Sequence, residues 1–562
     1  MSTRPRKARI LWMGAFLLVA VIVRVCMAAG WSFEGVGVEL PKAKWSLCKP
    51  LPPADLTVIN GSEPETLDPA LITSLSDSRI VRCLFEGLTR LNGETARAEP
   101  AIAESWEISD DGKLYTFYLR KKAIWSDGRP ITSHDVVYSW QRALDPVTAA
   151  DYAGQLYFIE NAEAFNTGGN AAGTNRRATA DDVGVWTVDE HTVQVRLVGP
   201  TAFFLDLCSF PTLAIVPQHW IEKHGDRWVI EPGLPVNGTY EMDFWKLNDR
   251  VRVRANPRHW AAHEVMSKVV DFIPMSSPST ALNLYESGGA DIIWDKSLIP
   301  SALMDVLRPR PDCHTFGYLG SYFFRFNVTR KPFDDIRVRK ALAMAIDKNR
   351  IVNNITKAGE QVANHFVPLG TADYESPAGI GYDPEQARKL LAEAGFPGGK
   401  GFPNFTYLMN NAPIDSQISV ELQAMWEKEL GVKMEIRQTE WKVYLNEQSK
   451  LNFDLSRSSW IGDYNDANTF LDLFMSNNGN NRTGWKDQSY DELVRTANQQ
   501  TDKEKRKRLL QSAEKKIIHD DLIIVPIYFY AGVNFFDPKK IEGVHFNLLD
   551  EHPIHLIRRK GS

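Results

Sequence analysis

Residues 115–136 read YTFYLRKKAIWSDGRPITSHDV, and this stretch decides the fold class. Residues 115–120 alternate between two sets of side chains, and a period of two predicts a strand with one buried face. The SDG tripeptide at 126–128 has the composition of a turn. Thr132 or Ser133 can then act as the N-cap of the helix that follows. The stretch therefore predicts a strand, a turn and a helix in direct succession.

The same two hydrophobic periods recur on both sides of this stretch. Strands are predicted at residues 56–59, 192–197, 251–254, 433–438 and 522–530, the last as a fully buried strand. Helices are predicted at residues 77–91, 135–144, 334–346, 383–394 and 416–430, with two more between 490 and 519. Because helices and strands alternate without an internal repeat, the sequence predicts an α/β or mixed α+β fold.

Length and composition restrict the classes of function. The chain has 562 residues, 43% of them hydrophobic, which is enough for roughly three or four domain-sized units. Its net charge of -5 offers no basic face, so we expect no nucleic acid partner. The 12 histidines are scattered, and neither HExxH, GxSxG nor a phosphate-binding glycine loop occurs. We therefore expect neither an enzyme nor a bound metal or cofactor.

The N-terminal segment has the pattern of an export signal. Four basic residues precede an apolar run at 10–23, which predicts either a cleaved signal peptide or a retained membrane anchor within residues 1–30. Cys26 follows Val25 rather than a small residue, so lipidation is not expected. Residues 31–54 are rich in proline and predict a linker. With either outcome the basic end stays inside and the body of the protein is exported.

The five cysteines form no CxxC pair, which argues against a zinc ribbon or a thioredoxin-like motif. Cys83 and Cys208 either form a disulfide in an oxidising compartment or remain two buried free thiols. The sequence leaves this choice open.

Several further motifs occur in a fixed order along the chain. They are GSEPETLDP (61–69), LFEGL (84–88), PAIAESW (100–106), NGTY (237–240), NPRHW (256–260), DIRVRKAL (335–342) and WIGDY (460–464). Together with residues 115–136, they resemble the oligopeptide- and dipeptide-binding proteins of bacterial ABC importers. That family of solute-binding proteins also includes binders of nickel and of murein peptides. The resemblance extends from about Asp55 to about Pro553.

The resemblance implies an α/β fold in which two lobes close like a clamp, with an extra domain in the first lobe. It assigns residues 55–76, 215–314 and 530–562 to lobe I, 77–214 to the extra domain and 315–529 to lobe II. It also implies a monomer that delivers its ligand to a membrane permease. The protein would act in the periplasm or cell envelope, either free or tethered to the inner membrane by its N-terminal segment.

The resemblance also implies residues that bind a short peptide. Asp463, in the Trp-x-x-Asp segment, matches the carboxylate that holds the peptide's amine. Glu63 and the segment from Ser459 through Ile461 to Gly462 match positions that pair with the peptide backbone.

Further matches concern the peptide's side chains and its carboxylate end. Trp460 and Trp441 match aromatic residues of side-chain pockets. Asn283 matches a position that bonds to the ligand backbone, and Tyr152 matches a tyrosine at the rim of the cleft. Arg457 matches a basic residue that pairs with the carboxylate of a tripeptide-length ligand.

The chain departs from the family pattern at Asp415, Gln448 and Phe529, where two basic residues and a tyrosine are replaced. These changes leave the preferred peptide length open. A murein peptide, a nickel chelate or another non-peptide solute remains the alternative ligand, although Asp463 favours a ligand with a free amine.

Overall fold

The structure is a computed structural model, and it describes residues 51–561. Its strands are β1 Leu56–Gly61, β2 Thr89–Leu91, β3 Ala98–Pro100, β4 Ala103–Ile108, β5 Leu114–Leu119, β6 Val185–Asp189, β7 Thr192–Arg196, β8 Tyr240–Lys246, β9 Arg250–Ala255, β10 Val269–Pro274, β11 Ile292–Ile293, β12 Cys313–Phe326, β13 Gln361–Val362, β14 Phe405–Asn410, β15 Met434–Thr439, β16 Leu455–Ile461, β17 Ile524–Phe535, β18 Ile541–Glu542 and β19 Arg558–Arg559.

The α-helices alternate with these strands along the chain. They are α1 Leu75–Leu84, α2 Ser133–Leu144, α3 Ala162–Thr167, α4 Phe204–Leu207, α5 Gln218–His224, α6 Pro278–Glu286, α7 Met304–Leu307, α8 Ile336–Met344, α9 Lys348–Ile351, α10 Pro384–Glu393, α11 Pro413–Leu430, α12 Trp441–Ser449, α13 Asn468–Leu471, α14 Gln488–Asn498 and α15 Lys503–Lys515.

The stretch at residues 115–136 folds as its pattern predicts. β5 buries every second side chain, and α2 follows after the turn. Thr132 is the N-cap residue, and its N–H donates to Asp135 Oδ2 over 2.8 Å. Asp135 therefore closes the first turn of the helix in the manner of a capping box.

One predicted helix, at residues 77–91, is wrong in its C-terminal half. The helix predicted over 77–91 ends at Leu84, and β2 begins at Thr89. Phe85 is extended, and Gly87 lies so close to the backbone of Cys208 that a Cβ on it would be 2.1 Å from the Cys208 carbonyl oxygen. Phe85 and Leu88 are still buried in the hydrophobic core, so their helical spacing does not mean that they form a helix.

A single large sheet organises the described chain, in the order β15-β14-β16-β12-β17-β11-β1-β10-β9-β8, with β13 attached to β17. Its centre is the antiparallel pair β12 and β17, whose ladder runs from Cys313↔Phe535 to Arg325↔Ile524. The ladder shifts register between Gly317 and Ser321, which marks a local irregularity in the two strands. Hydrophobic clusters pack on this sheet on both sides of the central pair.

A separate four-stranded sheet, β4-β5-β7-β6, lies within residues 77–214. Its inner face packs into a hydrophobic cluster that includes Phe117, Trp140 and Phe204. This sheet occupies the range that the sequence assigns to the extra domain. The predicted domain boundaries at 314/315 and 529/530 fall inside β12 and β17.

The remaining predictions concern cysteines and the N-terminus. Cys83 and Cys208 are both free and buried. The signal or anchor at 1–30 and most of the linker at 31–54 lie outside the described residues. From Ala54 onward the chain forms one compact unit. Among residues 51–561, no helix has both the length and the apolar character needed to cross a membrane.

Candidate functional site

The candidate site is a cavity of about 370 Å³ to which distant parts of the chain contribute. Its walls come from the end of β16, from β12, from the start of α1, from the extra domain and from the C-terminal segment. The lining residues are Ile72, Thr73, Ser74, Leu75, Ser78, Arg82, Tyr152, Phe210, Pro211, Tyr318, Ser459, Trp460, Ile461, Gly462, Asp463, Leu548, Leu549 and Glu551. Six of the ten residues that the sequence proposes for the ligand therefore lie together: Asp463, Ser459, Trp460, Ile461, Gly462 and Tyr152.

Three hydrogen bonds, to Leu319 and Thr469, help to hold the Trp460–Asp463 segment in place. The Gly462 N–H donates to Leu319 O over 2.8 Å, and a Cβ on Gly462 would lie 2.6 Å from Leu319 Cδ2. Thr469 Oγ1 accepts both from the Trp460 indole Nε1–H and from the Asp463 N–H, each over 3.3 Å. One hydroxyl thus links the Trp460 indole to the backbone of Asp463.

The Asp463 carboxylate lies in a part of the cavity wall where access of water is restricted. Burial raises the pKa of its carboxyl to about 6, although a hydrogen bond from Gln155 acts in the opposite direction. Among the described residues, no lysine, arginine or histidine nitrogen lies within 4.0 Å of this carboxylate. Burial, and then the charge of Asp463, also raises the pKa of the Asp472 carboxyl to about 7. Asp463 is therefore an acidic group of the cavity wall without a cationic partner among the described residues, and Asp472 lies close enough for their charges to interact.

Tyr152 closes the rim of the cavity beside this carboxylate. Its ring packs against Phe210, with 5.4 Å between the ring centroids. Burial, followed by the charge of Asp463, raises the pKa of the Tyr152 phenol. The phenol is therefore a neutral hydrogen-bonding group near the acidic end of the site.

One edge of β16 is open at the cavity. β12 pairs with β16 from Leu455 to Ile461, but on the other side β14 pairs only with Leu455 and Ser456. Within residues 51–561, no strand pairs with this second edge between 458 and 461. An extended chain in the cavity can therefore add to the sheet through main-chain hydrogen bonds.

Arg457 precedes the unpaired residues 458–461 on β16, and it does not line the cavity. Its Nε is 3.4 Å from Asp415 Oδ2, and its guanidinium carbon is 5.1 Å from the centroid of the Tyr322 ring. The Tyr322 hydroxyl donates to Asp415 Oδ1 over 3.0 Å. Asp415, one of the departures from the family pattern, therefore neutralises the cation that the sequence assigned to the ligand's carboxylate. The other two departures, Gln448 and Phe529, are also buried.

Three further predicted residues lie away from the cavity. Glu63 accepts from Trp245 Nε1 over 2.6 Å and from the Asn248 N–H over 2.9 Å, so its carboxylate ties β1 to the β8–β9 hairpin. Asn283 is exposed on α6. Trp441 is 49% exposed at the start of α12. None of these three residues lines the cavity that contains Asp463.

Sequence reasoning missed an ion pair in the cavity wall. Arg82 Nε lies 3.4 Å from Glu551 Oε1, and Arg82 Nη1 donates to Ser209 O over 2.8 Å. Ser78 and Arg82 line the cavity from one face of α1, four residues apart, which is a signal the sequence contains. Nothing near Glu551 in the sequence indicates that the C-terminal segment returns to this wall.

A second cavity of about 210 Å³ adjoins the first through Tyr318, which lines both. Its other walls are Thr315, Phe316, Gly317, Gly359, Gln361, Pro368, Leu369, Phe529 and Tyr530. No cluster of three or more potential metal ligands occurs among residues 51–561.

Comparisons with known proteins agree with this architecture. The family model of bacterial extracellular solute-binding proteins, family 5, matches residues 97–482. The periplasmic oligopeptide-binding protein OppA of Salmonella typhimurium is 34% identical over 85% of this chain and 88% of its own length. The probable deoxycholate-binding periplasmic protein YgiS of Escherichia coli is also 34% identical, with the same two coverages.

The solved structures include that of Haemophilus influenzae OppA in complex with the peptide RPPGFSPFR. It superposes with a TM-score of 0.72 at 28% identity, covering 90% of this chain and 98% of that one. The predicted fold class, an α/β two-lobed clamp with an extra domain in the first lobe, is confirmed. The chain belongs to the bacterial extracellular solute-binding proteins of family 5.

Proposed function

We propose that this chain is the substrate-binding component of an ABC importer for short peptides. It holds the peptide by its free amine and its backbone, and it passes the peptide to a membrane permease. It acts by binding rather than by catalysis. The observation that carries this proposal is the Asp463 carboxylate, which lines the cavity without a cationic partner among residues 51–561.

The chemistry of a peptide matches the groups around the cavity. Its ammonium can neutralise Asp463 and form charge-assisted hydrogen bonds where water is scarce. Its backbone can pair with the open edge of β16 at residues 458–461. Trp460 and Tyr152 offer apolar surface to side chains of any sequence. This combination favours a peptide, with little dependence on its sequence.

A bile acid is a less suitable ligand, although one relative carries the name of a probable deoxycholate-binding protein. An anionic steroid would leave Asp463 without a cation, and its own charge would be repelled by this carboxylate. A murein peptide with a free amine satisfies the same anchor as an ordinary peptide. A nickel chelate has no cluster of protein ligands to meet it among the described residues.

Contacts within the large sheet support the proposed division into lobes. β1 pairs with β10 and β11, and β11 pairs with β17 at Phe535, which joins residues 55–76, 215–314 and 530–562 as lobe I. Residues 315–529 contain β13 to β16 and form lobe II. The protein is a monomer that is exported to the cell envelope, where its N-terminal segment is a signal peptide or a tether.

Calorimetric titration of the full-length chain tests the peptide function. The ligands are tri-alanine and N-acetyl-tri-alanine, which differ only in the charge of the N-terminus. We expect tri-alanine to bind and its acetylated form to lose at least about 30-fold in affinity, because Asp463 then faces a neutral amide. Equal binding of both forms, or of neither, would contradict the proposal.

A further inference from the structure

The residue that follows Asp463 inserts its ring into the range assigned to the extra domain. Tyr464 is buried, and its ring stacks on that of Phe203, with 4.2 Å between the centroids and 10° between the planes. Phe203 is also buried, directly before α4, and it packs edge-on against Phe158 with 5.1 Å between the centroids. An aromatic ring of the proposed lobe II is therefore enclosed by aromatic rings of the extra domain.

The hydrophobic clusters set Tyr464 apart from the rest of its lobe. Phe203 and Tyr464 belong to one cluster, and the other members of that cluster within the described chain come from residues 56–294 and 536–557. The two large clusters of the proposed lobe II are built from buried residues between 319 and 528. Tyr464 thus leaves the core of its own lobe and completes the core of another part of the chain.

Hydrogen bonds within the proposed lobe II hold Tyr464 beside Asp463. The Asn468 side-chain amide donates to the Tyr464 hydroxyl over 3.2 Å, and the Asp466 N–H donates to Tyr464 O over 2.9 Å. The Asp466 carboxylate in turn accepts from both terminal nitrogens of Arg506, over 2.7 and 2.8 Å. Asp463 and Tyr464 therefore lie in one hydrogen-bonded turn, and a contact that fixes the ring also fixes the position of the carboxylate.

The surroundings of the stack are loosely packed. A third cavity, of about 300 Å³, lies between the extra domain and the proposed lobe II, and Leu205 and Ala467 are among its lining residues from the two sides. Arg97 Nη1 lies 4.0 Å from Asp373 Oδ2 across this region, but the two side chains are 41% and 55% exposed. Water screens such a pair, so it contributes little. The stack of Phe203 and Tyr464 is therefore a close apolar contact in an interface that is otherwise partly open.

On the basis of the peptide-binding function proposed above, we propose that Phe203 is a positioning residue for the amine-binding site. By stacking on Tyr464, it holds the proposed lobe II against the extra domain, with Asp463 at the cavity wall near Tyr152. Separation of the two parts would expose both rings to water, which is unfavourable. The extra domain then favours the closed clamp and raises the affinity for every peptide, whatever its side chains.

The test is calorimetric titration of tri-alanine and tri-leucine into the full-length chain and its variants. The variants are Phe203→Leu, Tyr464→Leu, the double variant and the conservative Tyr464→Phe. The matched control is Phe405→Leu, which removes a buried ring whose aromatic neighbours all belong to the proposed lobe II: Phe333, Phe402 and Trp426. Thermal melting shows that each variant is folded.

We expect Phe203→Leu and Tyr464→Leu each to weaken binding about 3- to 10-fold, because an aromatic pair is lost and the closed form is less populated. Both peptides should lose affinity by the same factor, since closure does not depend on their side chains. The double variant should bind about as weakly as the weaker single variant, because the two substitutions remove one contact. Tyr464→Phe keeps the ring and should stay within about twofold of the wild type.

The control should have a lower melting temperature but an affinity within about twofold of the wild type, because Phe405 lies in the core of one lobe. The proposal is overturned if folded Phe203→Leu binds as tightly as the wild type, if Phe405→Leu loses as much affinity, or if the two single losses multiply in the double variant. In each case, loss of binding on N-acetylation of the peptide would still support the peptide function. If neither tri-alanine nor tri-leucine binds the wild type, the proposed function fails, and the positioning role of Phe203 fails with it.

Discussion

Replacing Asp463 by asparagine should remove most of the affinity for peptides with a free amine. The substitution keeps the shape of the side chain and removes only its charge. Burial raises the pKa of the Asp463 carboxyl from the ordinary 3.8 to about 6, so the empty site costs the charged form about 3 kcal/mol. A ligand ammonium can recover this energy. We expect a loss of about 2–5 kcal/mol in Asp463→Asn, or about 30- to 5,000-fold in Kd.

The assay is calorimetric titration of tri-alanine and N-acetyl-tri-alanine into wild type, Asp463→Asn and the control Asp110→Asn. Asp110 is exposed in the turn between β4 and β5, and it lines neither of the two described cavities. The control should bind as the wild type does. In Asp463→Asn the two ligands should bind with similar, weak affinity, because the variant no longer distinguishes an ammonium from an amide.

The reasoning would be refuted by an Asp463→Asn variant that is folded and still prefers the free amine as strongly as the wild type. The ammonium would then have to be held by another group. Asp472 is the nearest candidate in electrostatic terms, since the charges of the two residues interact. The double variant would identify it.

The remaining predictions concern pH and packing. Because the empty site is ionised only above a pKa of about 6 at Asp463, peptide affinity should be flat near pH 7 and fall up to about tenfold per pH unit well below 6. Calorimetry between pH 5 and 8 measures this, and Asp463→Asn should remove the acidic fall. Gly462→Ala should destabilise the fold by about 1–3 kcal/mol in thermal unfolding, because its Cβ would lie 2.6 Å from a leucine side chain. Gly381→Ala, where a Cβ meets nothing within 4 Å, should leave stability nearly unchanged; equal effects of the two substitutions would contradict the packing argument.

Local elements of this fold were predictable where the sequence itself holds the cause. The N-cap Thr132 and the alternation in β5 lie within a few residues of the structure they produce. The same reasoning failed after Leu84, because the contact between Gly87 and Cys208 depends on two segments far apart in the sequence. The spacing of hydrophobic residues indicates which side chains are buried. Whether those residues form a helix or a strand also depends on tertiary contacts.

The candidate site divides in the same way. Trp460, Ile461, Gly462 and Asp463 lie together because they are consecutive, so one motif was enough to place them. The role proposed for Arg457 depends on what surrounds it, and Asp415 comes from a different element. The charge state of a side chain in a cleft is a property of its neighbours, which a motif does not contain.

The central pair β12 and β17 has a mechanical consequence. These are the longest strands among the described residues, the proposed boundaries between the lobes fall inside them, and their ladder is irregular between Gly317 and Ser321. Tyr318 lies within that irregular part and forms a wall of both cavities. If the lobes rotate about this irregular part of the ladder, the ligand lies close to the axis of rotation. In the proposed function, a slight bend next to the ligand would become a wide displacement at the outer rims of the lobes, and a permease would distinguish the occupied protein by that displacement without contacting the ligand.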